Sequence, residues 1–215
     1  MVEHVYRRAA AARTVGAVVV ATDDERIRVA VTAFGGLVRM TALQHASGTD
    51  RVAEVAESLD CEIVVNVQGD EPLIEPEMID EAVAPLIAEP GLAITSLCHR
   101  LDDLASLESP HVTKVVLDRD GYALYFSRAP IPFTRGAERV APAYKHIGLY
   151  AYRRRFLLDF ARLAPSPLER TEALEQLRAL EHGVRIRMVE TRHDSTGVDT
   201  PEDLERVRRL VTARV

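Results

Sequence analysis

Cysteine, lysine and long apolar runs are all scarce in this sequence. The two cysteines, Cys61 and Cys98, have neither the paired spacing of a disulfide framework nor the spacing of a metal-binding motif, so we expect two buried thiols. No apolar stretch is long enough to cross a bilayer, and the N-terminal residues lack the basic start, apolar centre and cleavage site of a signal peptide. These absences exclude membrane insertion and predict a cytoplasmic protein.

The charge balance limits the partners that the protein can bind. The formal net charge is −6, which argues against a nucleic-acid polymer and leaves room for local basic sites that hold small anions. The basic residues are nearly all arginine, and the lysines are Lys114 and Lys145. With 215 residues, 47% of them hydrophobic, and no linker, repeat or low-complexity tract, the chain can bury a large core. We predict a single domain over residues 1–215.

The first third of the chain alternates between the strand period and the helical period. Short β-branched runs predict strands at "AVVVAT" and "LVRMT", and "EIVVNV", residues 62–67, predicts a strand buried on both faces. Helical spacing predicts three helices: one over residues 3–13, one that begins after a cap at Thr22 or Asp23, and one that begins at Thr49. Strands separated by helices of this length indicate a mostly parallel sheet covered on both sides.

The middle of the chain changes to strand patterns joined by short links. "TKVVLD" and "YALYF" flank "DRDG", a strong hairpin-turn signal, and "YKHIGLYAY" follows them. Helical patterns return at residues 153–162 and 168–180, followed by a strand at "RIRMVE" and a helix from Pro201. We therefore predict an α/β fold: a mostly parallel, Rossmann-like sheet with helices on both faces and an inserted antiparallel region at about residues 111–152.

Two adjacent carboxylates follow the predicted buried strand. Gln68, Gly69 and Asp70 come directly after it, and ligands of open α/β sheets bind at this carboxyl edge of the strands. Glycine lets a ligand approach the backbone closely, and an aspartate can hold a hard cation. The alternative is that Asp70 and Glu71 merely start the helix after Pro72, since acidic residues and proline are common at helix starts.

A second acidic motif, "STGVDTPEDLERVRRL", lies late in the chain. Thr200 as a helix cap and Pro201 at the first helical position explain most of it structurally. Asp199 is not needed for that role and ends the loop entered through Gly197, where its carboxylate could point into the same sheet edge as Asp70. A metal site shared by Asp70 and Asp199 is therefore one hypothesis, and an ordinary capped helix start is the other.

Three further segments carry side chains suited to a polar or anionic ligand. "HASGTDR", residues 45–51, places small residues at a predicted helix N-terminus, which suits a nucleotide but is also an ordinary capping sequence. Arg128 follows a predicted strand. In "YKHIGLY", His146 and Tyr150 alternate onto one face and Lys145 onto the other. His146 and Tyr150 could face a common cavity, although a lone histidine on a strand is more often structural.

Taken in order, these segments resemble one family, the CMP-Kdo synthetases or 3-deoxy-manno-octulosonate cytidylyltransferases. The matching stretches cover nearly the whole chain, and their combination is far more specific than any one of them. They are "VVVATDDERI", "MTALQHASGTDRVAEV", "VVNVQGDEPLI", "TKVVLDRDGYALYFSRAPIPF", "KHIGLYAYRRRFL", "PSPLERTEALEQLRAL" and "GVDTPEDLERVR".

The resemblance implies a nucleotidyl transfer. The anomeric hydroxyl of the keto-sugar acid Kdo would attack the α-phosphate of CTP, giving CMP-Kdo and pyrophosphate for lipopolysaccharide biosynthesis. Such a transfer requires in-line positioning and neutralisation of charge on the phosphate oxygens. The resemblance implies that Asp70 and Asp199 are the catalytic residues and hold Mg²⁺, and that the protein is a homodimer built through the region around residues 121–152.

The resemblance also implies two groups of binding residues. Gln68 would lie beside the metal, and Ser47, Thr49 and Arg51 would contact the cytidine. Arg128 would meet the sugar acid or the phosphates. The residues that would hold sugar hydroxyls are His146, Tyr150, Glu172, Glu175 and Gln176.

We expect Glu172, Glu175 and Gln176 to lie together. Because Glu172 and Glu175 are three apart and Glu172 and Gln176 four apart, we expect them to share one face of a single helix. Without the resemblance, a solvated charged surface would be the preferred interpretation of that helix.

The N-terminal strand and glycine-containing basic loop of the family have no match in the sequence, which starts at the helix after that loop. The resemblance therefore implies an incomplete triphosphate site, and we expect weak CTP binding and slow turnover or none. Since a sheet without a central strand leaves backbone groups unpaired, we expect the natural protein to be longer. Two alternative functions stay open: a cytidylyltransferase for another keto-sugar acid, and a catalytically impaired protein that binds the sugar acid or dimerises.

Overall fold

Helices alternate with strands along most of the chain in the computed structural model, which describes residues 1–136, 141–195, 197–198 and 200–212. The helices are α1 (Val2–Ala10), α2 (Glu25–Ala33), α3 (Gly48–Glu57), α4 (Pro76–Ala88), α5 (Leu104–Glu108), α6 (Arg154–Phe160), α7 (Pro167–Glu172), α8 (Gln176–Glu181) and α9 (Pro201–Thr212). The strands are β1 (Val19–Thr22), β2 (Leu37–Met40), β3 (Ile63–Asn66), β4 (Ile94–Leu101), β5 (Lys114–Leu117), β6 (Ala123–Ser127), β7 (Ala143–Arg153) and β8 (Arg187–Glu190). Within the described ranges, no helix combines the length and the apolar character that crossing a membrane requires.

Strand β7 lies at the centre of the larger sheet. The order of that sheet is β6-β5-β7-β4-β8, and β3 also pairs with β7. Strand β7 runs antiparallel to β3, β4 and β5, whereas β4 and β8 are parallel and β1 and β2 form a separate parallel pair. The predicted α/β class with an antiparallel region is confirmed. Because β7 occupies the middle, antiparallel pairings outnumber parallel ones among the described strands, and the segment expected as an addition organises the sheet.

Helices cover both faces of β7, as predicted. On one face, Tyr150 and Tyr152 join the core cluster to which α6 and α8 contribute. On the other face, Ile147, Leu149 and Ala151 join the cluster built on α4. This alternation follows from the two-residue period of a strand and confirms the pattern predicted for this segment. Each fully buried side chain of this size contributes about 1.5–3 kcal/mol to folding.

The turn between β5 and β6 confirms the predicted hairpin. The Asp118 carboxylate accepts hydrogen bonds from the backbone N–H groups of Asp120 and Tyr122, over 2.9 and 2.8 Å. Gly121 has a φ of +80°, a left-handed conformation that favours glycine over residues with a side chain. The sequence "DRDG" therefore closes the antiparallel pair of β5 and β6.

Helix α2 begins one or two residues later than predicted. Asp24 is its N-cap, with its carboxylate accepting a hydrogen bond from the backbone N–H of Arg26 over 2.8 Å. The prediction of a cap at Thr22 or Asp23 is wrong, because the Thr22 hydroxyl instead accepts from the backbone N–H of Asp24. Ser47 is the N-cap of α3, and its hydroxyl accepts a hydrogen bond from the backbone N–H of Asp50.

Strand β3 is less buried than predicted. Ile63, Val64 and Val65 are half-buried, and the fully buried residue of the strand is Asn66. Both faces pack against the core, as predicted, since Val64 contacts one core cluster and Ile63 and Val65 contact the other. The burial is incomplete because β3 pairs with β7 along one edge and has no second strand partner among the described strands. The pairing of β3 with β7 along one edge nevertheless fixes the place where β3 ends.

The predicted helix over residues 168–180 is two helices. Ala173 adopts a left-handed conformation with a φ of 53°, which ends α7 and separates it from α8. The break lets Leu174 and Leu177 enter the core, and the nearly buried Arg178 guanidinium pairs with Glu169 of α7 over 2.5 Å. Tertiary packing therefore overrides the continuous helical pattern.

Candidate active site

The loop after β3 lies against a second loop that precedes α9. The backbone N–H of Val198 donates to the carbonyl oxygen of Asp70 over 2.9 Å, and the Ser195 hydroxyl donates to the Glu71 carboxylate. The predicted partner Asp199 lies outside the described residues. Asp70 therefore lies at a sheet edge that two loops form together.

Glu71 is a constrained carboxyl at this edge. Burial raises its pKa, the hydrogen bond from Ser195 partly opposes that rise, and the neighbouring Asp70 charge adds to it. Lys145 fixes the second loop, because its ammonium donates to the Asp194 carboxylate over 2.7 Å and to the carbonyl oxygen of Ser195 over 2.8 Å. The described side chains include no group of three or more histidine, cysteine or acidic residues placed to hold a metal.

Gln68 connects this edge to strand β7. A Cβ atom built on Gly148 would lie 3.9 Å from the Gln68 Cγ atom, so the Gln68 side chain lies over the glycine. In the strand, Gly148 falls between His146 and Tyr150. The polar edge after β3 is therefore continuous with the side chains on one face of β7.

His146 and Tyr150 are buried next to each other, with ring centroids 5.4 Å apart. The prediction that they face the same side of the strand is confirmed. His146 Nε2 lies 2.8 Å from the Ser96 hydroxyl oxygen, and its Nδ1 lies 3.5 Å from the side-chain nitrogen of Gln176. Burial lowers the pKa of His146 to about 3 and raises that of Tyr150. Both groups are therefore neutral hydrogen-bonding groups at pH 7.

Glu175 lies over the first turn of α3. The Thr49 hydroxyl donates to one oxygen of the Glu175 carboxylate, and the Asn66 amide donates to the Thr49 oxygen over 3.5 Å. The other carboxylate oxygen is buried, makes no hydrogen bond to a described residue and lies 3.8 Å from the Arg178 guanidinium. This contact joins two predicted binding residues, Thr49 and Glu175, that are far apart in sequence.

Glu172 binds the end of β6. Its carboxylate accepts hydrogen bonds from the Ser127 hydroxyl over 2.6 Å and from the backbone N–H of Arg128 over 3.0 Å. Burial alone would raise the pKa of Glu172, but these hydrogen bonds outweigh it and lower the pKa. The expectation that Glu172 shares a helix face with Glu175 and Gln176 is wrong, because the chain turns at residue 173 and separates them.

The Arg128 side chain is held in place by backbone oxygens. Its Nε donates to the carbonyl oxygen of Glu172 and a terminal nitrogen donates to that of Pro110, over 3.0 and 3.1 Å. The fully buried Lys114 ammonium donates to three carbonyl oxygens, those of Arg128, Ser109 and Val112. Lys114 therefore fixes the backbone at the position where Arg128 leaves β6.

The segment at residues 45–51 is tied mainly to the protein itself. Ser47 accepts the capping hydrogen bond of α3, and Arg51 forms an ion pair with Asp23 over 2.7 Å. Arg51 also donates to the Thr41 hydroxyl over 3.0 Å, so it links the ends of β1 and β2. His45 pairs with Glu54, and their hydrogen bond lowers the pKa of the glutamate. Ser47 and Arg51 thus shape the loop in which they lie.

Sequence reasoning missed the hydroxyl groups that hold the site together. Ser96, Ser127 and Ser195 each contact a predicted binding residue or the edge beside Asp70. Ser96 and Ser127 lie inside strands, and a single serine in a strand gives no signal in hydrophobic periodicity. Long-range pairing is what places these hydroxyls.

Comparisons with known proteins give a consistent result. Residues 1–186 match the cytidylyltransferase family. The 3-deoxy-manno-octulosonate cytidylyltransferase of Geobacter sulfurreducens is 58% identical over 96% of this chain and 87% of its own length. That of Solibacter usitatus is 55% identical over 100% of this chain and 85% of its own length. A solved structure of CMP:2-keto-3-deoxy-manno-octonic acid synthetase, complexed with CTP, superposes with a TM-score of 0.94 at 43% identity, covering 100% of this chain and 88% of that one.

Proposed function

The chain belongs to the cytidylyltransferase family, among the 3-deoxy-manno-octulosonate cytidylyltransferases, and we propose that it transfers the CMP group of CTP to the keto-sugar acid Kdo. The oxygen of the anomeric hydroxyl attacks the α-phosphorus, the bond to the β-phosphate oxygen breaks, and CMP-Kdo and pyrophosphate are formed. The observation that carries this proposal is the near full-length superposition on a CTP-bound CMP-Kdo synthetase.

The buried polar cluster on β7 suits a sugar acid. A keto-sugar acid presents many hydroxyl groups and one carboxylate, so its pocket needs neutral donors and acceptors beside one cation. His146, Tyr150 and Gln176 supply neutral groups, whereas Glu172 and Glu175 supply charged acceptors. Arg128 is the cation positioned next to Glu172, and its guanidinium is suited to a carboxylate or phosphate.

The N-terminal end of α3 and the edge after β3 suit the nucleotide. Backbone N–H groups at a helix N-terminus favour an anionic or carbonyl-bearing ligand, and Ser47 and Thr49 place hydroxyls there. Arg51 holds the loop by its contacts to Asp23 and Thr41. Gln68 lies between this end of the sheet and the cluster on β7, where the two substrates would meet.

Asp70 and Asp199 are the residues that would hold Mg²⁺. Magnesium in nucleotide enzymes is bound through one or two carboxylates together with substrate phosphates, and the half-buried Asp70 carboxyl at the end of β3 fits that mode. When bound, the ion supplies neutralisation of charge on the phosphate oxygens. The loops themselves are fixed by the hydrogen bonds of Glu71 and Lys145, which orient the backbone beside Asp70.

We further propose that the protein acts as a homodimer in the cytoplasm. Leu124 of β6 and Phe133 have 61% and 86% of their surfaces exposed, and both fall in the region that the resemblance assigns to the dimer. Covering such side chains is favourable by about 25 cal/mol per Å² of apolar surface. Sedimentation velocity would show a dimer for the parent protein, and the substitution Phe133→Ser should shift it toward monomer. A monomeric parent protein would refute the dimer.

The test of the activity is pyrophosphate release from CTP with Kdo and Mg²⁺. We expect slow release by the parent protein, loss of at least about a hundredfold in Asp70→Asn and Asp199→Asn, and no loss in the matched control Asp60→Asn, an exposed aspartate before β3. Chelation of the metal should abolish release. Release with a different keto-sugar acid but not with Kdo would move the proposal to that substrate, and no release with any of them would refute it.

A further inference from the structure

Strands β4 and β7 change register at the centre of the candidate site. Ser96 pairs with Tyr150 and the next residue, Leu97, pairs with Ile147, so two residues of β7 bulge out of the ladder. The carbonyl oxygens of Ile147 and Leu149 lie 3.2 and 2.9 Å from the Ser96 hydroxyl oxygen. Ser96 is completely buried, so its hydroxyl depends on protein partners for its hydrogen bonds. Bulges of this kind re-aim side chains, and here the bulged residues, Gly148 and Leu149, lie between His146 and Tyr150.

The hydroxyl of Ser96 has one proton and three close neighbours, the carbonyl oxygens of Ile147 and Leu149 and Nε2 of His146. Carbonyl oxygens accept hydrogen bonds only, and a Ser96 proton donated to His146 would leave two carbonyl oxygens 2.9 and 3.2 Å from the serine oxygen with no proton between them. The arrangement therefore favours donation of the Ser96 proton to Leu149 or Ile147. The third close neighbour is His146 Nε2, 2.8 Å away, and the serine oxygen can take part in that contact only as an acceptor. Nε2 must therefore carry the imidazole proton.

The protonation state of Nδ1, the other ring nitrogen, follows from that of Nε2. Because burial keeps the ring neutral at pH 7, protonation of Nε2 leaves Nδ1 of His146 with a lone pair. The neighbour of Nδ1 is the amide of Gln176, at 3.5 Å, and a lone pair requires the NH₂ group there. The carbonyl oxygen of Gln176 then points away from the ring. Phe126 packs edge-on against the imidazole with centroids 4.9 Å apart and limits its rotation.

We propose that Ser96 is a positioning residue that locks His146 in its Nε2–H tautomer and thereby decides which way the Gln176 amide is turned toward the substrate. The effect on catalysis rests on the proposed function, in which Gln176 holds hydroxyl groups of the keto-sugar acid. The Ser96 hydroxyl does not touch substrate and acts through His146.

The direct test is the protonation pattern of the His146 ring. Two-bond proton–nitrogen NMR spectra of protein with ¹⁵N-labelled histidine separate protonated from unprotonated ring nitrogens, and the His146→Gln variant assigns the signal among the seven histidines. In the parent protein we expect a proton on Nε2 alone between pH 5 and 8. A proton on Nδ1 would overturn the proposal without any Ser96 variant being made.

The kinetic test uses two serine variants and a matched control. Ser96→Ala should raise the KM for the keto-sugar acid about tenfold with the KM for CTP nearly unchanged, and should let the ring populate both tautomers. Ser96→Thr keeps the hydroxyl and should restore the tautomer and most of the KM. The control is Thr95→Val, since Thr95 is equally buried but donates to the carbonyl oxygen of Ala82, away from His146.

The outcomes separate this inference from the proposed function. An unchanged tautomer and sugar-acid KM in Ser96→Ala, or the same changes in Thr95→Val, would show that Ser96 is merely structural and overturn the inference. If the parent protein does not use a keto-sugar acid, the proposed function fails, while the NMR spectra of the Ser96 variants still decide whether the serine sets the tautomer.

Discussion

The Ser127 hydroxyl donates a hydrogen bond of 2.6 Å to the Glu172 carboxylate. This contact joins the end of β6 to the last residue of α7, and the same carboxylate accepts from the backbone N–H of Arg128. A carboxylate that receives several hydrogen bonds is held in one orientation, and so is the backbone that donates them. Glu172 therefore fixes the backbone position from which the Arg128 side chain extends.

The first prediction concerns Glu172→Gln. The amide would face the Ser127 and Arg128 donors with one acceptor fewer, and hydrogen bonds to a charged group contribute about 1.5–3 kcal/mol. We expect the KM for the keto-sugar acid to rise roughly 10- to 100-fold, with the KM for CTP changing less than about threefold. Steady-state kinetics with each substrate varied in turn would measure both.

A matched control exists on helix α8. Glu181 also accepts from a serine hydroxyl and a backbone N–H, those of Ser166 and Leu168, but it lies away from the cluster on β7. Glu181→Gln should lower stability without changing either KM. An equal rise in the sugar-acid KM in both variants would contradict a specific role for Glu172.

The second prediction concerns acid stability and Asp80. Burial would raise the pKa of this carboxyl on α4, but hydrogen bonds from Thr14 and Arg13 outweigh burial and lower it to about 2. Because the folded pKa is below the unfolded one, the carboxylate contributes stability above about pH 4 that is lost as the pH falls toward 2. Asp80→Asn should cost about 2 kcal/mol at pH 7 and progressively less below pH 4.

Urea unfolding of both proteins between pH 7 and pH 2.5 measures this difference. Glu77→Gln is the control, because Glu77 is an exposed carboxyl on the same helix. A difference between the parent protein and Asp80→Asn that stays constant down to pH 2.5 would be inconsistent with the lowered pKa.

The third prediction concerns His146. Its pKa of about 3 in the folded protein lies far below the ordinary value of 6.5, so the unfolded chain binds a proton more readily between these limits. Stability is therefore complete above about pH 6.5 and falls by about 1.4 kcal/mol per pH unit below it. Between pH 7 and pH 5 the parent protein should lose about 2 kcal/mol more than His146→Gln does.

The measurement is again urea unfolding, with His4→Gln as the control for an exposed histidine. We expect the control to follow the parent protein at every pH. If the parent protein and His146→Gln have the same pH dependence, His146 is not buried as a neutral ring.

The fourth prediction concerns the turn between α7 and α8. Ala173 has a φ of 53°, a left-handed conformation that costs a residue with a Cβ about 1 kcal/mol and glycine almost nothing. Ala173→Gly should therefore raise the free energy of unfolding by about 0.5–1 kcal/mol. Ala161→Gly, at the right-handed end of α6, should lower it by a similar amount. Stabilisation of equal size in both variants would contradict the strain at Ala173.

The parts of the site that sequence could predict are those set by local patterns. The apolar run of β3 followed by Gln68, Gly69 and Asp70 identifies a sheet edge, because strand period and turn residues act over a few residues. The alternation that places His146 and Tyr150 together on β7 is equally local. For these residues the local sequence pattern and the folded structure agree, because no distant contact overrides the pattern.

The parts that sequence could not predict depend on distant contacts. The break at Ala173 follows from the burial of Leu174 and Leu177, which a helical pattern cannot anticipate. The bulge that brings Ser96 to His146 depends on the register of two strands far apart in the chain. Register is set by the assembled sheet, so such a hydroxyl leaves no trace in the local pattern.

The central position of β7 also determines the order in which the molecule can fold. Strands β3, β4 and β5 all pair with β7, yet each of them is synthesised before it. At a ribosome speed of roughly 5–20 residues per second, β3 waits about 4–15 s for its partner. During that interval the incomplete chain exposes apolar strands that have no partner strand to pair with. Assembly of the sheet is therefore a late event in biosynthesis, because β3, β4 and β5 lack a shared partner until β7 has been made.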